Sequence, residues 1–232
     1  MTEKPIILMD LDNTLLDFDR QEAAAISAML RERGIDPTDE VLSAFRRINV
    51  RHWEMLENGE LTRQQVLVGR FEVFFKELGA ALDAQSAEDS YAAHLCQGHY
   101  FVPGAQALLD TLYGRCALYI ISNGNACVQD ARLASSGISK YFEKIFVSES
   151  MGADKPSRAF FDMVIADIPA FDPARALVVG DSLTSDIRGG RNAGLMTCWF
   201  NPGGKPPRPD IPADYEIAAL SELPGLIDRI FF

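Results

Sequence analysis

The chain has 232 residues, of which 47% are hydrophobic and 24% are charged, so it can bury one large core or two modest ones. Its formal net charge of -11 argues against a nucleic-acid polymer as partner, because such binding depends largely on lysine and arginine neutralising phosphates. A small phosphorylated ligand remains compatible with this charge, since a few local cations outweigh the overall balance at short range.

The composition also gives expectations for location and redox chemistry. The first residues lack the basic stretch, apolar core and small-residue cleavage site of a secretory signal, and no apolar run approaches the roughly 20 residues that span a bilayer. We therefore expect a cytoplasmic protein without a membrane partner. The four cysteines form no C-x-x-C pair, which predicts neither a zinc site nor disulfides, and we expect them to be buried as small apolar residues.

Short apolar runs rich in β-branched residues alternate with helical patterns. The runs predict strands at residues 6–9, 117–121, 144–148, 176–179 and 196–200. The patterns between them predict helices at residues 105–112, 128–135, 159–168 and 185–193, with a final helix near 220–230. Alternation of this kind predicts the α/β class, with a doubly wound parallel sheet as a Rossmann-like core.

Residues 18–99 interrupt this alternation, because they contain no convincing strand pattern. They instead show helix-length patterns at residues 21–33, 38–57, 62–78 and 87–96. We expect an inserted α-helical cap domain over residues 18–99, with residues 1–17 and 100–232 forming the Rossmann-like core. An insertion after the first strand would lie above the carboxyl end of the sheet, where open α/β folds bind ligands.

Two aspartates follow the first predicted strand, in the run Asp10-Leu11-Asp12-Asn13-Thr14. Because residues i and i+2 of an extended segment face the same side, both carboxylates can point into one crevice. Their repulsion is tolerable only if a cation joins them or one of them holds a proton. The alternative is an ordinary turn that closes the strand, with Asp12 capping a helix.

The strand predicted at 117–121 is followed by Ser122-Asn123-Gly124. A hydroxyl group and neighbouring main-chain N–H groups at such a turn can hold phosphate oxygens. An ordinary helix cap is the alternative interpretation of this segment.

Lys155 lies shortly after the next predicted strand and directly before Pro156. The proline fixes the backbone and restricts the residue before it, which can aim the lysine ammonium inward. A single lysine is more often a solvated surface charge, so its position beside a strand end is what suggests a role.

The strand predicted at 176–179 leads into Gly180 and a second pair of carboxylates, Asp181 and Asp186. Asp181 could ligate a hard cation, and Asp186 could orient the waters of that cation. Alternatively, Asp186 only interacts favourably with the positive end of a helix dipole.

These four motifs, in this order, resemble those of the phosphatases of the haloacid dehalogenase superfamily, and the helical insertion and Pro103-Gly104 fit the same layout. Within that superfamily the chain looks most similar to the bacterial pyrimidine 5'-nucleotidases of the house-cleaning type. The supporting segments are Asn58-Gly59, Gly69-Arg70-Phe71-Glu72, Asn192-Ala193-Gly194-Leu195 and Thr197-Cys198-Trp199.

The resemblance implies an Mg²⁺-dependent phosphomonoesterase that forms an aspartyl-phosphate on Asp10, with Mn²⁺ as a substitute metal. Asp12 would be the general acid and base, and Lys155 the third catalytic group. The implied metal ligands are Asp10, Asp12 (through its main-chain carbonyl), Asp181 and Asp186. The implied substrate contacts are Thr14, Phe18, Ser122, Asn123 and Gly124. The expected partner is a small phosphomonoester, and the chain is expected to be a monomer or a homodimer.

Several alternatives stay open. The substrate could be a small sugar phosphate or organic acid phosphate such as phosphoglycolate. Dehalogenation is less favoured, because halide leaves without a proton and would not need Asp12. A phosphorylation-sensing receiver module would not carry the long helical insertion. Aromatic residues of the insertion could stack on a base or form its core, namely Trp53, Phe71, Phe74, Phe75 and Tyr91, together with His52.

Overall fold

A computed structural model describes residues 4–232. Its strands are β1 (Ile6–Met9), β2 (Ala117–Ser122), β3 (Lys144–Val147), β4 (Ala176–Gly180), β5 (Met196–Phe200) and β6 (Tyr215–Ile217). They form one sheet in the order β3-β2-β1-β4-β5-β6, and each neighbouring pair is parallel. This order is that of a doubly wound Rossmann-like sheet, so the predicted fold class is confirmed.

The helices follow the predicted alternation closely. They are α1 (Phe18–Glu32), α2 (Asp39–Glu57), α3 (Arg63–Leu78), α4 (Ala84–Leu95), α5 (Ala105–Leu112), α6 (Ala126–Ser136), α7 (Ser148–Met151), α8 (Arg158–Asp167), α9 (Arg188–Asn192) and α10 (Leu223–Phe231). The helix predicted at 185–193 instead begins as one turn of π-helix, Leu183–Ile187, before α9. None of the helices within residues 4–232 is both long and apolar enough to cross a bilayer.

The chain divides into two compact units. One contains the described residues up to Phe18 together with His99–Phe232, and the other is Asp19–Gly98. The first unit contains the whole sheet, and the second contains α2, α3, α4 and nearly all of α1. Each unit has its own buried apolar residues, as expected of separate cores.

The sheet is buried on both faces, which explains why its strands are continuous apolar runs. Side chains alternate along β1, so Ile7 and Met9 pack with α5 and α10 on one face. Ile6 and Leu8 pack with α8 on the other face, against residues such as Phe160. This burial fixes the register of β1 and therefore the direction in which the residues after Met9 leave the sheet.

The helical unit has an aromatic core. Phe45, Phe71, Phe74 and Tyr91 are at most 1% exposed, and the ring of Phe45 lies 5.3–5.5 Å from each of the other three rings. Stacking on a base is therefore not available to these rings, and the core interpretation is correct for them. Phe75 is also buried, whereas Trp53 is partly exposed beneath the guanidinium of Arg63.

Two expectations from the sequence were wrong. Strand β6 was not predicted, because its three residues contain an exposed glutamate and form a strand only by pairing with β5. The four cysteines were expected to be buried, but Cys127 is exposed and Cys96 is partly exposed. Cys127 lies in the first turn of α6, on the side of the helix away from its buried residues.

Candidate active site

The loop after β1 holds Asp10 at the centre of the sheet. The main-chain N–H of Asp10 donates to the carbonyl of Val179 on β4 at 2.9 Å. Asn13 adopts the left-handed region with a φ of 59°, which asparagine tolerates better than most residues, and the chain turns back there. Thr14 is thereby buried with its hydroxyl donating to Asp10 Oδ2 at 3.1 Å. Thr14 thus orients Asp10, and its contact with substrate stays a prediction.

Lys155 is 1% exposed, which contradicts the interpretation of a solvated surface charge. Its ammonium donates to Asp10 Oδ1 at 2.8 Å, to Asp186 Oδ1 at 2.7 Å and to the carbonyl of Ile121 at 2.8 Å. These acceptors use all three hydrogens of the ammonium. Lys155 is therefore fixed between the first and last motifs of the sequence.

Asn123 holds the backbone of Lys155. The amide nitrogen of the Asn123 side chain donates to the carbonyl of Lys155 at 2.8 Å, and its oxygen accepts from the main-chain N–H of Lys155 at 2.8 Å. The Asn123 side chain thus positions Lys155, and the contact of Asn123 with substrate stays a prediction.

Gly180 makes room for Asp186. A Cβ atom on Gly180 would lie 2.1 Å from Asp186 Oδ2, far inside any real contact. Asp186 is 1% exposed and also accepts a hydrogen bond from the main-chain N–H of Ser182 at 3.1 Å. The alternative that Asp186 merely faces a helix dipole does not account for its direct contact with Lys155.

Asp10, Asp181 and Asp186 form a cluster that could hold a metal ion. Each offers a carboxylate oxygen, and these oxygens all lie within 4.8 Å of one another. Oxygen ligands of this kind suit hard divalent cations such as Mg²⁺. Asp10 and Asp186 both contact the buried ammonium of Lys155, and a divalent cation among the three carboxylates would offset the negative charge that this one ammonium leaves. Lys205 also lies 3.9 Å from Asp181, but its side chain is 67% exposed and solvent screens it.

The pKa values of the site reflect this crowding of like charges. Burial raises the pKa of Asp10 well above its ordinary value; Lys155 opposes the shift, and the carboxylates of Asp186 and Asp181 add to it. Burial acts to lower the pKa of Lys155, but Asp10 and Asp186 outweigh it and hold that pKa above its usual range. The protein alone therefore makes ionisation of Asp10 less favourable than it is in water, and a bound cation would oppose this shift of the pKa.

Asp12 has a different set of partners, which its sequence motif did not predict. Gln129 Nε2 donates to Asp12 Oδ2 at 2.6 Å, and Arg132 Nη1 donates to Asp12 Oδ1. Both residues lie on α6, on its buried face with Val128 and Leu133. The signal that could have revealed them is the polar pair, three residues apart, on the apolar face of the helix that follows Ser122.

The remaining predicted contacts lie beside this group. The Ser122 hydroxyl accepts hydrogen bonds from the main-chain N–H of Gly124 at 3.1 Å and from Gln129 Nε2 at 2.8 Å. Phe18 is partly buried, with the guanidinium carbon of Arg132 5.3 Å from its ring. The structure therefore places all the predicted site residues at the carboxyl ends of β1, β2 and β4 or on the segments that follow β1 and β3.

A parallel sheet in this order, with its polar side chains gathered at the carboxyl ends of the central strands, defines an α/β protein with a Rossmann-type ligand site. Residues 5–194 match the model of the haloacid dehalogenase-like hydrolases, and the chain belongs to this family. The resemblance inferred from the four motifs is confirmed, as is the prediction of a hydrolase.

Named relatives extend over nearly the full length of the chain. The chain is 34% identical over 224 residues to pyrimidine 5'-nucleotidase PynA of Streptococcus pneumoniae, covering 96% of this chain and 94% of that protein. It is 31% identical over 221 residues to pyrimidine 5'-nucleotidase YjjG of Escherichia coli, covering 95% and 96%. The crystal structure of YfnB from Bacillus subtilis, described as bound to magnesium, superimposes with a TM-score of 0.93 at 38% identity, covering 98% of this chain and 100% of that one.

Proposed function

We propose that the chain is an Mg²⁺-dependent phosphomonoesterase that hydrolyses nucleoside 5'-monophosphates, with a preference for pyrimidines. The observation that carries this proposal is the buried Asp10 carboxylate, held by Lys155 and Thr14 and followed two residues later by a second carboxylate, Asp12. The pyrimidine preference draws on the relatives PynA and YjjG, whose names describe that activity.

Asp10 is the proposed nucleophile. Lys155 donates to one of its carboxylate oxygens and Thr14 to the other, so the carboxylate plane is fixed from both sides. Because the carboxylate is already oriented in the folded protein, little orientational freedom is left to lose when its oxygen attacks. Attack on phosphorus forms the aspartyl-phosphate and breaks the bond to the alcohol oxygen of the substrate.

The metal ligands in this proposal are Asp10, the main-chain carbonyl of Asp12, Asp181 and Asp186. The bound Mg²⁺, for which Mn²⁺ is a substitute, would supply positive charge that offsets repulsion between the phosphate dianion and Asp10. Lys155 adds a further positive charge beside the same carboxylate, and its burial strengthens that interaction.

Asp12 is the proposed general acid and base. It would give a proton to the leaving alkoxide and later take a proton from the water that attacks the aspartyl-phosphate. This role distinguishes phosphate-ester hydrolysis from dehalogenation, because a halide ion leaves without a proton.

Ser122 and the turn at Gly124 are the proposed contacts for the transferring phosphate oxygens. Ser122 Oγ accepts two hydrogen bonds, so its hydroxyl hydrogen is the part that can donate to phosphate. We further propose that Asp19–Gly98 acts as the cap that selects the leaving group. In that role it would exclude water from the reaction.

A phosphate-release screen tests this function. The purified chain with Mg²⁺ is offered pyrimidine and purine nucleoside monophosphates, sugar phosphates and phosphoglycolate, each with and without a chelator. We expect the highest kcat/KM for a pyrimidine nucleotide and loss of activity with the chelator. Equal turnover of nucleotides and simple phosphates would contradict nucleotide recognition, and no phosphate release from any substrate would contradict the phosphatase.

A further inference from the structure

Both carboxylate oxygens of Asp12 have a partner on α6. Gln129 Nε2 donates to Oδ2 at 2.6 Å, and Arg132 Nη1 donates to Oδ1. Arg132 Nη1 also donates to Gln129 Oε1 at 2.8 Å, so the two partners brace each other. A carboxylate held by donors on both oxygens keeps one orientation.

Gln129 also links Asp12 to the neighbouring motif. The same Nε2 that contacts Asp12 donates to Ser122 Oγ at 2.8 Å, so both hydrogens of the amide group have acceptors. This approach requires Gly124, because a Cβ atom there would lie 2.2 Å from Gln129 Nε2. Gly124 is therefore needed in this motif because a larger residue would clash with the Gln129 side chain.

Arg132 is in an environment that packing alone does not explain. Its side chain is fully buried, yet within residues 4–232 its Nε and Nη2 atoms have no hydrogen-bond partner. Leaving buried donors unsatisfied is unfavourable, and a buried ion pair is often no more stable than an apolar replacement of similar volume. The geometry instead directs the one bonded nitrogen of Arg132 at Asp12 and Gln129.

We propose that Gln129 and Arg132 are positioning residues that aim the Asp12 carboxyl group at the leaving oxygen. This inference rests on the proposed function and deepens it. When the phosphorus–oxygen bond breaks, the proton on Asp12 moves to the alkoxide oxygen, and the electron pair of the O–H bond stays on Asp12. Arg132 then lies against the carboxylate that has formed, and Gln129 prevents it from rotating away.

The leaving group distinguishes this role from a structural one. The alkoxide of a nucleoside needs the proton from Asp12, whereas p-nitrophenolate is stable enough to leave without it. The ratio kcat/KM covers the steps up to departure of the alcohol and excludes the later attack by water. Loss of Asp12 positioning should therefore lower kcat/KM for a nucleotide much more than for p-nitrophenyl phosphate.

The experiment compares Gln129→Leu and Arg132→Met with the unchanged chain, using uridine monophosphate and p-nitrophenyl phosphate in the presence of Mg²⁺. We expect kcat/KM for the nucleotide to fall about 100-fold, the lower end of what general acid catalysis contributes. For p-nitrophenyl phosphate it should stay within about threefold. Arg132→Lys, which keeps the charge without the planar fork, should give an intermediate loss on the nucleotide.

Asp130→Asn is the matched control, because Asp130 lies on the same helix but is exposed. It should change kcat/KM for neither the nucleotide nor p-nitrophenyl phosphate. In the Asp12→Asn background, Arg132→Met should cause no further loss on the nucleotide, since the group that it positions is absent. If Arg132→Met also lowers the thermal midpoint, Gln129→Leu decides the question alone.

Equal losses on the two substrates, or additive losses with Asp12→Asn, would overturn the positioning role. That outcome is distinct from failure of the proposed function, in which the unchanged chain itself would hydrolyse neither monoester.

Discussion

At the site, buried cationic side chains hold the aspartates in place through ion pairs. Lys155 joins Asp10 to Asp186, and Arg132 holds Asp12. Asp10 and Asp12 are two residues apart in sequence but have separate cationic partners. We infer that this separation permits two roles, because a nucleophile needs positive charge beside it whereas a general acid needs a fixed direction.

The two aspartates should respond differently to the same substitution. Asp10→Asn removes the proposed nucleophile and should reduce phosphate release to background. Asp12→Asn should leave substrate binding nearly unchanged but slow both half-reactions by about 10²–10⁴-fold, the range of general acid–base catalysis. Pre-steady-state kinetics with a nucleoside monophosphate measures both half-reactions, and near-normal turnover by the Asp10 variant would refute the assignment of the nucleophile.

Individual helices of the Asp19–Gly98 unit are joined by a buried polar network. Arg70 on α3 donates to Asn49 on α2 at 2.8 Å and to Glu88 on α4 at 2.5 Å, and Asn49 in turn donates to Glu22 on α1. Burial raises the pKa of Glu22 to about 7, with Arg70 opposing the shift. The network thus connects all four helices, and Glu22, which ties α1 to it, has a pKa near neutral pH.

The raised pKa of Glu22 predicts a pH-dependent stability of this unit. A carboxyl group that binds its proton more tightly when folded contributes stability at low pH, and that contribution is lost as the pH rises from about 4.5 to about 7. Glu22→Gln, which stays neutral, should remove this decline and stabilise the chain by about 3 kcal/mol above pH 7. The effect at pH 4 should be small.

Chemical denaturation at a series of pH values measures this change. Glu72→Gln is the matched control, because Glu72 lies exposed on α3, and it should leave the pH dependence as it is. If the free energy of unfolding of Glu22→Gln changes with pH as steeply as that of the unchanged chain, burial is not what governs the protonation of Glu22.

In the chain as a whole, metal binding should couple to folding. Asp10 follows β1, whereas Asp181 and Asp186 follow β4, so the three carboxylates come from segments far apart in sequence. They converge only in the folded state, so a cation bound there stabilises that state and not the unfolded chain. This linkage can be measured without any substrate.

Mg²⁺ at 100 times its dissociation constant should raise the free energy of unfolding by about 2.7 kcal/mol. Thermal unfolding with and without Mg²⁺ tests this, and Asp181→Asn should weaken the stabilisation. Asp210→Asn, at an exposed carboxylate, should retain it. An equal response to Mg²⁺ in all three proteins would show that the cation binds elsewhere.

Local sequence patterns were sufficient to predict the α/β class and five of the six strands found within residues 4–232. Strands buried on both faces must be apolar along their length, and the polar residues after them mark where each strand ends. For the same reason the four motifs could be located at strand ends from the sequence. Strand β6 was not predicted, because its hydrophobic pattern is weak and its pairing with β5 exists only in the folded sheet.

What no local pattern could establish is which side chains meet. Asp12 and Arg132 are 120 residues apart, and their contact depends on the packing of α6 beside β1 and β2. Asn123 and Lys155 likewise lie 32 residues apart, and the hydrogen bonds between them form only where the segments that follow β2 and β3 meet. Residue type and spacing thus specify the elements and the chemistry available, whereas the partners of each polar group depend on long-range packing, because hydrogen bonds and ion pairs form only at contact distance.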